Sequence, residues 1–80
     1  MQISVEISLY PLTDDYEEII LGFLAQLKHY PHITAETNGM STRLFGAYDA
    51  VMECLQIEMK KIYENHQAVL VMKMARGVLK

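Results

Sequence analysis

Eighty residues suffice for one domain, 1–80, with a small core and modest stability of its own. A net charge of −3 and a pI near 5.5 argue against a nucleic-acid partner held through phosphates, and one cysteine, Cys54, excludes a disulfide framework or a thiolate zinc set. The chain shows no basic, then apolar, leader and no apolar run near the ~20 residues that cross a bilayer, so a soluble, cytoplasmic setting is expected.

Ile3, Val5, Ile7 and Leu9 alternate with Gln2, Ser4, Glu6, Ser8 and Tyr10, which predicts a strand with one buried face. Pro11 removes a backbone donor and ends that strand. Asp14 with Glu17 three residues on reads as a capping box, with Thr13 as a competing cap. A helix follows, with Tyr16, Ile19, Ile20, Phe23, Leu24 and Leu27 at helical spacing and Pro31 as the limit of its end. Ile33–Thr37 and Ser41–Phe45 flank Asn38-Gly39, the dipeptide suited to a two-residue type I′ turn. That loop sets Thr37 opposite Met40, Ala35 opposite Thr42 and Ile33 opposite Leu44, on the inner face, and sends Ser41 outward. A second helix carries Tyr48, Val51, Met52, Leu55, Met59 and Ile62, with Asn65 as its left-handed cap. Ala68–Ala75 forms the last strand.

The order βαββαβ closes most simply as a ferredoxin-like α+β sandwich. Four antiparallel strands lie in the order 4-1-3-2, with both helices on one face. In that arrangement Leu9, Tyr10, Tyr16, Thr37, Met40 and Thr42 converge at one edge, with Asp14 and Asp15 close by. Two tyrosines and two aspartates there suit a cation, since an aromatic face contributes roughly 0.5–2 kcal/mol per contact. Each residue also has a plainer role. The aspartates cap a helix, the tyrosines pack on a core rim, and Thr42 is a satisfied strand hydroxyl. Cys54 reads as a small buried hydrophobe, the methionines as core filler, and His29, His32 and His66 as surface residues without metal-ligand spacing. Glu58, Lys60, Lys61 and Glu64 read as a solvated helix face.

The run Ser8-Leu9-Tyr10-Pro11, followed by Thr13-Asp14-Asp15-Tyr16, precedes a second motif in which Thr37, Ser41, Thr42, Leu44, Gly46, Asp49 and Val51 recur in fixed order. Together they resemble the YkoF family, whose members bind thiamin or its hydroxymethylpyrimidine moiety. The resemblance covers nearly the whole chain. It implies a non-enzymatic, vitamin-binding domain linked to thiamin salvage or transport, needing neither metal nor cofactor, with contacts around Leu9 and the Ser41-Thr42 pair. The best-known family form carries two such repeats and this chain carries one, so a second copy would come from another subunit.

Other functions of the fold suit the sequence poorly. A phosphate-binding enzyme needs a donor-rich loop after the first strand, where Pro11-Leu12-Thr13-Asp14-Asp15 would repel the ligand. A copper chaperone needs two cysteines there. An RNA-binding sheet needs a basic surround. The rival reading is a regulatory domain that binds an unrelated small ligand at a subunit seam. Ser4, Glu6, Ser8, Arg43, Phe45, Val71 and Lys73 mix on the sheet face without helices, which predicts a homodimer or higher homo-oligomer.

Overall fold

A computed structural model of residues 1–80 shows the predicted order: β1 (Gln2–Pro11), α1 (Tyr16–Leu27), β2 (Ile33–Thr37), β3 (Thr42–Ala47), α2 (Tyr48–Asn65) and β4 (Ala68–Arg76). The strands form one antiparallel sheet in the order β2-β3-β1-β4, the predicted order read from the other edge. Burying the apolar half of β1 against the helices sets the core. Ile3, Val5 and Ile7 pack with Ile19, Phe23 and Leu27 of α1 and with Val51, Cys54, Leu55 and Ile62 of α2. Each such side chain contributes about 1.5–3 kcal/mol by leaving water. Burial also pushes the Cys54 thiol up to about 11, which keeps it an inert packing group at neutral pH.

The hairpin departs from the predicted register. Thr37 pairs with Thr42, Ala35 with Leu44 and Ile33 with Gly46, so the connection is the four residues Asn38–Ser41. No residue there has a positive φ, which a type I′ turn requires. The Asn38 side chain organises the loop instead: its Oδ1 accepts the N–H groups of Met40 and Ser41 at 2.7 and 3.0 Å. A shift of two residues preserves every face, so Thr42 and Leu44 still point inward.

Smaller differences concern the element ends. β1 runs through Pro11, which pairs with Ala68 and faces no strand on its other side. Asp15, not Asp14 or Thr13, precedes α1, and no side chain caps that helix; the Thr13 hydroxyl donates to the Asp15 carboxylate. Asn65 stays helical and donates to the Lys61 carbonyl, and His66 beyond it is extended. Glu58 is buried, accepting from the Tyr30 hydroxyl at 2.6 Å and the Lys61 ammonium at 3.3 Å.

The sheet face opposite the helices is partly covered by the chain's own end. Gly77, at φ +96°, turns the backbone, and Ser4 then donates to its carbonyl at 2.6 Å while accepting the Leu79 N–H at 2.9 Å. The Lys80 ammonium sits 5.1 Å from the Phe45 ring centre, and the Arg43 guanidinium 5.8 Å from it. Phe45 is therefore buried although it lies on the uncovered side.

The glycines separate the two hairpin readings. A Cβ at Gly39 meets nothing within 4 Å, whereas one at Gly46 lies 3.0 Å from the His32 carbonyl oxygen. Gly39→Ala should change unfolding free energy by no more than about 0.5 kcal/mol. Gly46→Ala should cost about 1–3 kcal/mol through overpacking. Urea titration of both variants measures the difference, and a large loss at Gly39 would restore the type I′ turn.

Candidate functional site

Strand β1 pairs with β4 as far as Pro11 but with β3 only as far as Ile7. Ser8–Pro11 therefore project beyond the hairpin, and their β3-side edge has no strand partner. The Asn38–Ser41 loop curls toward this projection, and α1 closes it from above with Ile20, Phe23 and Leu24. The result is a notch of about 140 Å³, walled by Ile7, Ser8 and Leu9 on β1 and by Thr37 through Thr42 on the hairpin. No residue lining it carries a formal charge.

Its polar chemistry lies in the hairpin. Thr42 is only 5% exposed, and its hydroxyl lies 3.0 Å from that of Thr37. The shifted register brings these two together, because it makes Thr37 the direct partner of Thr42. One hydroxyl hydrogen is satisfied between them, which leaves the pair one further donor and several lone pairs for a ligand. Met40, 86% exposed at the loop tip, borders the notch with a flexible apolar side chain.

Five of the seven residues singled out in the sequence line this notch: Leu9, Thr37, Met40, Ser41 and Thr42. Ser41 lies on its wall, but its hydroxyl points to the open sheet face and donates to Glu6 Oε2 at 3.0 Å. Its N–H and C=O are both engaged by Asn38. Tyr10 and Tyr16 stand elsewhere. Tyr10 alternates onto the open face, pairs with Val69 and is 53% exposed. Tyr16, 48% exposed, lies against Glu17 at 3.4 Å. Asp15 borders a groove between the helices rather than the notch. The aromatic and acidic corner thus disperses, and apolar walls with two hydroxyls remain.

Ile20, Phe23 and Leu24 are lining residues that the sequence reading left in the core. Their signal was present: Ile20 and Leu24 are one turn apart on the flank of the α1 stripe, where a helix faces the end of a strand. Glu58 was legible too, since it continues the buried series Val51, Leu55 and Ile62.

Two larger depressions exist, both charged. One, of about 300 Å³, lies on the open sheet among Ser4, Glu6, Arg43, Phe45 and Lys73. The other, of about 400 Å³, separates α1 from α2. No cluster of metal-ligating side chains is present, and no helix is long and apolar enough to cross a membrane.

The model of the YkoF-related family matches residues 2–76. The chain belongs to that family. Among curated proteins none matches it. Solved structures share the fold: a Thermotoga maritima protein provisionally assigned to thiamine biosynthesis or salvage has a TM-score of 0.84 at 15% identity, covering 96% of this chain and 85% of its own. A Streptococcus pneumoniae protein has a TM-score of 0.88 at 21% identity, covering 99% and 90%. A hypothetical protein from Methanocaldococcus jannascii gives 0.80 at 21%, covering 99% and 84%. At these identities the likeness establishes a ferredoxin-like fold common to all of them, whereas the family match carries the membership.

The hairpin wall of this YkoF-family chain is tied down by a charge. Hydrogen bonds from Lys73 and then Ser41 hold the Glu6 carboxyl below its ordinary 4.5. A depressed carboxyl stabilises the fold above its unfolded value and ceases to do so as pH falls through its folded one. Acidification below 4.5 should therefore release the Ser41 hydroxyl from Glu6 before the core melts. A carbon-detected NMR titration should show Glu6 protonating below its ordinary 4.5, and a midpoint at or above that value would mean that the contact is not maintained.

Proposed function

We propose that this chain is a non-enzymatic binding protein for thiamin or its hydroxymethylpyrimidine moiety, serving thiamin salvage or transport, with the pyrimidine ring seated in the β1–hairpin notch. The observation that carries the reading is an uncharged cleft with paired threonine hydroxyls in a chain of the YkoF-related family. A planar, neutral heterocycle with amino and ring-nitrogen groups needs flat apolar walls and a few oriented polar contacts. Ile7, Leu9, Ile20 and Leu24 supply the walls, and Thr37 and Thr42 the contacts. The volume supports one ring, since whole drug-sized ligands fill roughly 300–1,000 Å³. A thiazolium would extend past Met40 to the surface, since the lining offers no carboxylate to pair with it.

A second copy of the chain completes this picture. Tyr10, Val69 and Val71 are exposed together on the open face, and β4 is an uncovered edge strand of nine residues without proline. Both favour a homodimer or higher homo-oligomer, which sedimentation velocity tests directly: a single monomer-sized boundary at tens of micromolar would contradict it.

Calorimetric titration with hydroxymethylpyrimidine, thiamin and thiamin phosphate tests the ligand. The free pyrimidine and thiamin should bind with similar affinity, and the phosphate should add nothing. Thr42→Val removes a hydroxyl without changing shape, and should weaken binding about tenfold, as loss of one buried hydrogen bond costs about 1–2 kcal/mol. A flat response to all three compounds would overturn the reading.

A further inference from the structure

We propose that the sheet face without helices docks a second copy of this chain about a twofold axis parallel to the strands, and that a row of alternating charges sets this orientation. The proposal rests on the homo-oligomer reading above and gives it a surface and a geometry.

The row follows from the strand registers. Lys73 on β4 pairs with Glu6 on β1, Glu6 with Arg43 on β3, and Arg43 with Glu36 on β2. The four strands thus carry positive, negative, positive and negative charge in one line across the open face. All four side chains are at least 39% exposed, and within the chain they pair at 3.2 Å as Lys73–Glu6 and Arg43–Glu36. A row that sums to zero has no attraction for a nucleic acid or an anionic membrane, which call for one sign. It does match its own reverse. Rotation about an axis parallel to the strands, between β1 and β3, reverses the row. Lys73 then faces Glu36 of the second copy, and Glu6 faces its Arg43, so every position meets an opposite charge. An axis along the row would set each charge on its like, which is repulsive. Aligned sheets pack about 10 Å apart, a gap that side chains of this length span.

The rest of the face fits that arrangement. Tyr10, Val69 and Val71 add exposed apolar area beyond one side of the row. The same rotation lays Tyr10 and Val69 against the Asn38–Ser41 loop of the second copy, because the hairpin ends where β1 runs on. The second copy thereby reaches the loop that walls the notch. On the other side, the strap Gly77–Lys80 crosses Ser4 and Phe45, and the Lys80 ammonium comes within 3.9 Å of Glu36, the last charge of the row. Its own Val78 and Leu79 stay exposed, and a depression of about 300 Å³ remains between Leu79 and the row. The strap is a loose cover, and a second sheet must displace it.

Sedimentation velocity over a concentration series tests this with the full chain and its variants, their fold checked by circular dichroism. Lys73→Glu and Glu36→Lys each place two like-charge contacts in the dimer, and each alone should weaken association at least about tenfold. An equimolar mixture of the two variants restores an opposite charge at every position, and should associate as the unaltered chain does. Ser4→Ala frees the strap from its two hydroxyl hydrogen bonds and should tighten association about tenfold. Association that survives in both single charge variants would overturn the proposal while leaving a homo-oligomer built on another surface, such as the β4 edge. A mixture that stays monomeric would overturn the twofold arrangement, and no tightening in Ser4→Ala would overturn the role of the strap. A monomer throughout, Ser4→Ala included, would overturn both this proposal and the homo-oligomer reading, and neither result bears on calorimetric binding of the pyrimidine.

Discussion

The difference in length between β1 and its two neighbours governs this molecule. β1 makes nine residue pairs with β4 and only six with β3, because the hairpin reaches its loop at Ser41 while β1 runs on to Pro11. A projecting strand end with one unpaired edge is a liability in a sheet, and it must be covered or used. Here α1 lies across it and the Asn38 loop folds up beside it. The space left between them is the notch of about 140 Å³. Pro11 is tolerated at the tip because no neighbour on that side asks for its missing N–H.

Charge is distributed so that this space stays neutral. The ion pairs Lys73–Glu6 and Arg43–Glu36 lie on the open sheet, and Lys61–Glu58 lies between the helices. The solvated pairs contribute little to stability individually. Their importance is positional: Glu6 draws the Ser41 hydroxyl outward, so that the notch offers the Thr37–Thr42 pair alone. The core methyl groups below then fix the walls, since Ile7 is buried in the same layer as Leu44 and Phe23.

Most of the fold was legible because it rests on periodicity. Alternation in Ile3–Leu9 and helical spacing in Ile19–Leu27 leave few ways to bury both faces, and the βαββαβ order did the rest. The hairpin register was not legible. Asn38-Gly39 suggests a two-residue turn by local propensity, but a glycine permits a positive φ without requiring one, and Asn38 found two backbone donors in a longer loop. The faces survived only because the slip was an even number of residues. Leu9, Thr37 and Thr42 therefore still line one notch, although the pairing across the hairpin differs from the one expected. Tyr10 was readable as outward-facing from the alternation of β1, and its attractive chemistry obscured that. Tyr16 is the first residue of α1, one turn before the buried stripe begins at Ile19.

On the proposed reading the notch, and not a charged groove, seats the pyrimidine. Methyl-labelled NMR locates the ligand without a variant. Adding hydroxymethylpyrimidine should shift the methyl groups of Ile7, Leu9, Ile20 and Leu24 while those of Ile62 and Val71 stay in place. Largest shifts at Ile62, between the helices, or at Val71, on the open sheet, would contradict it.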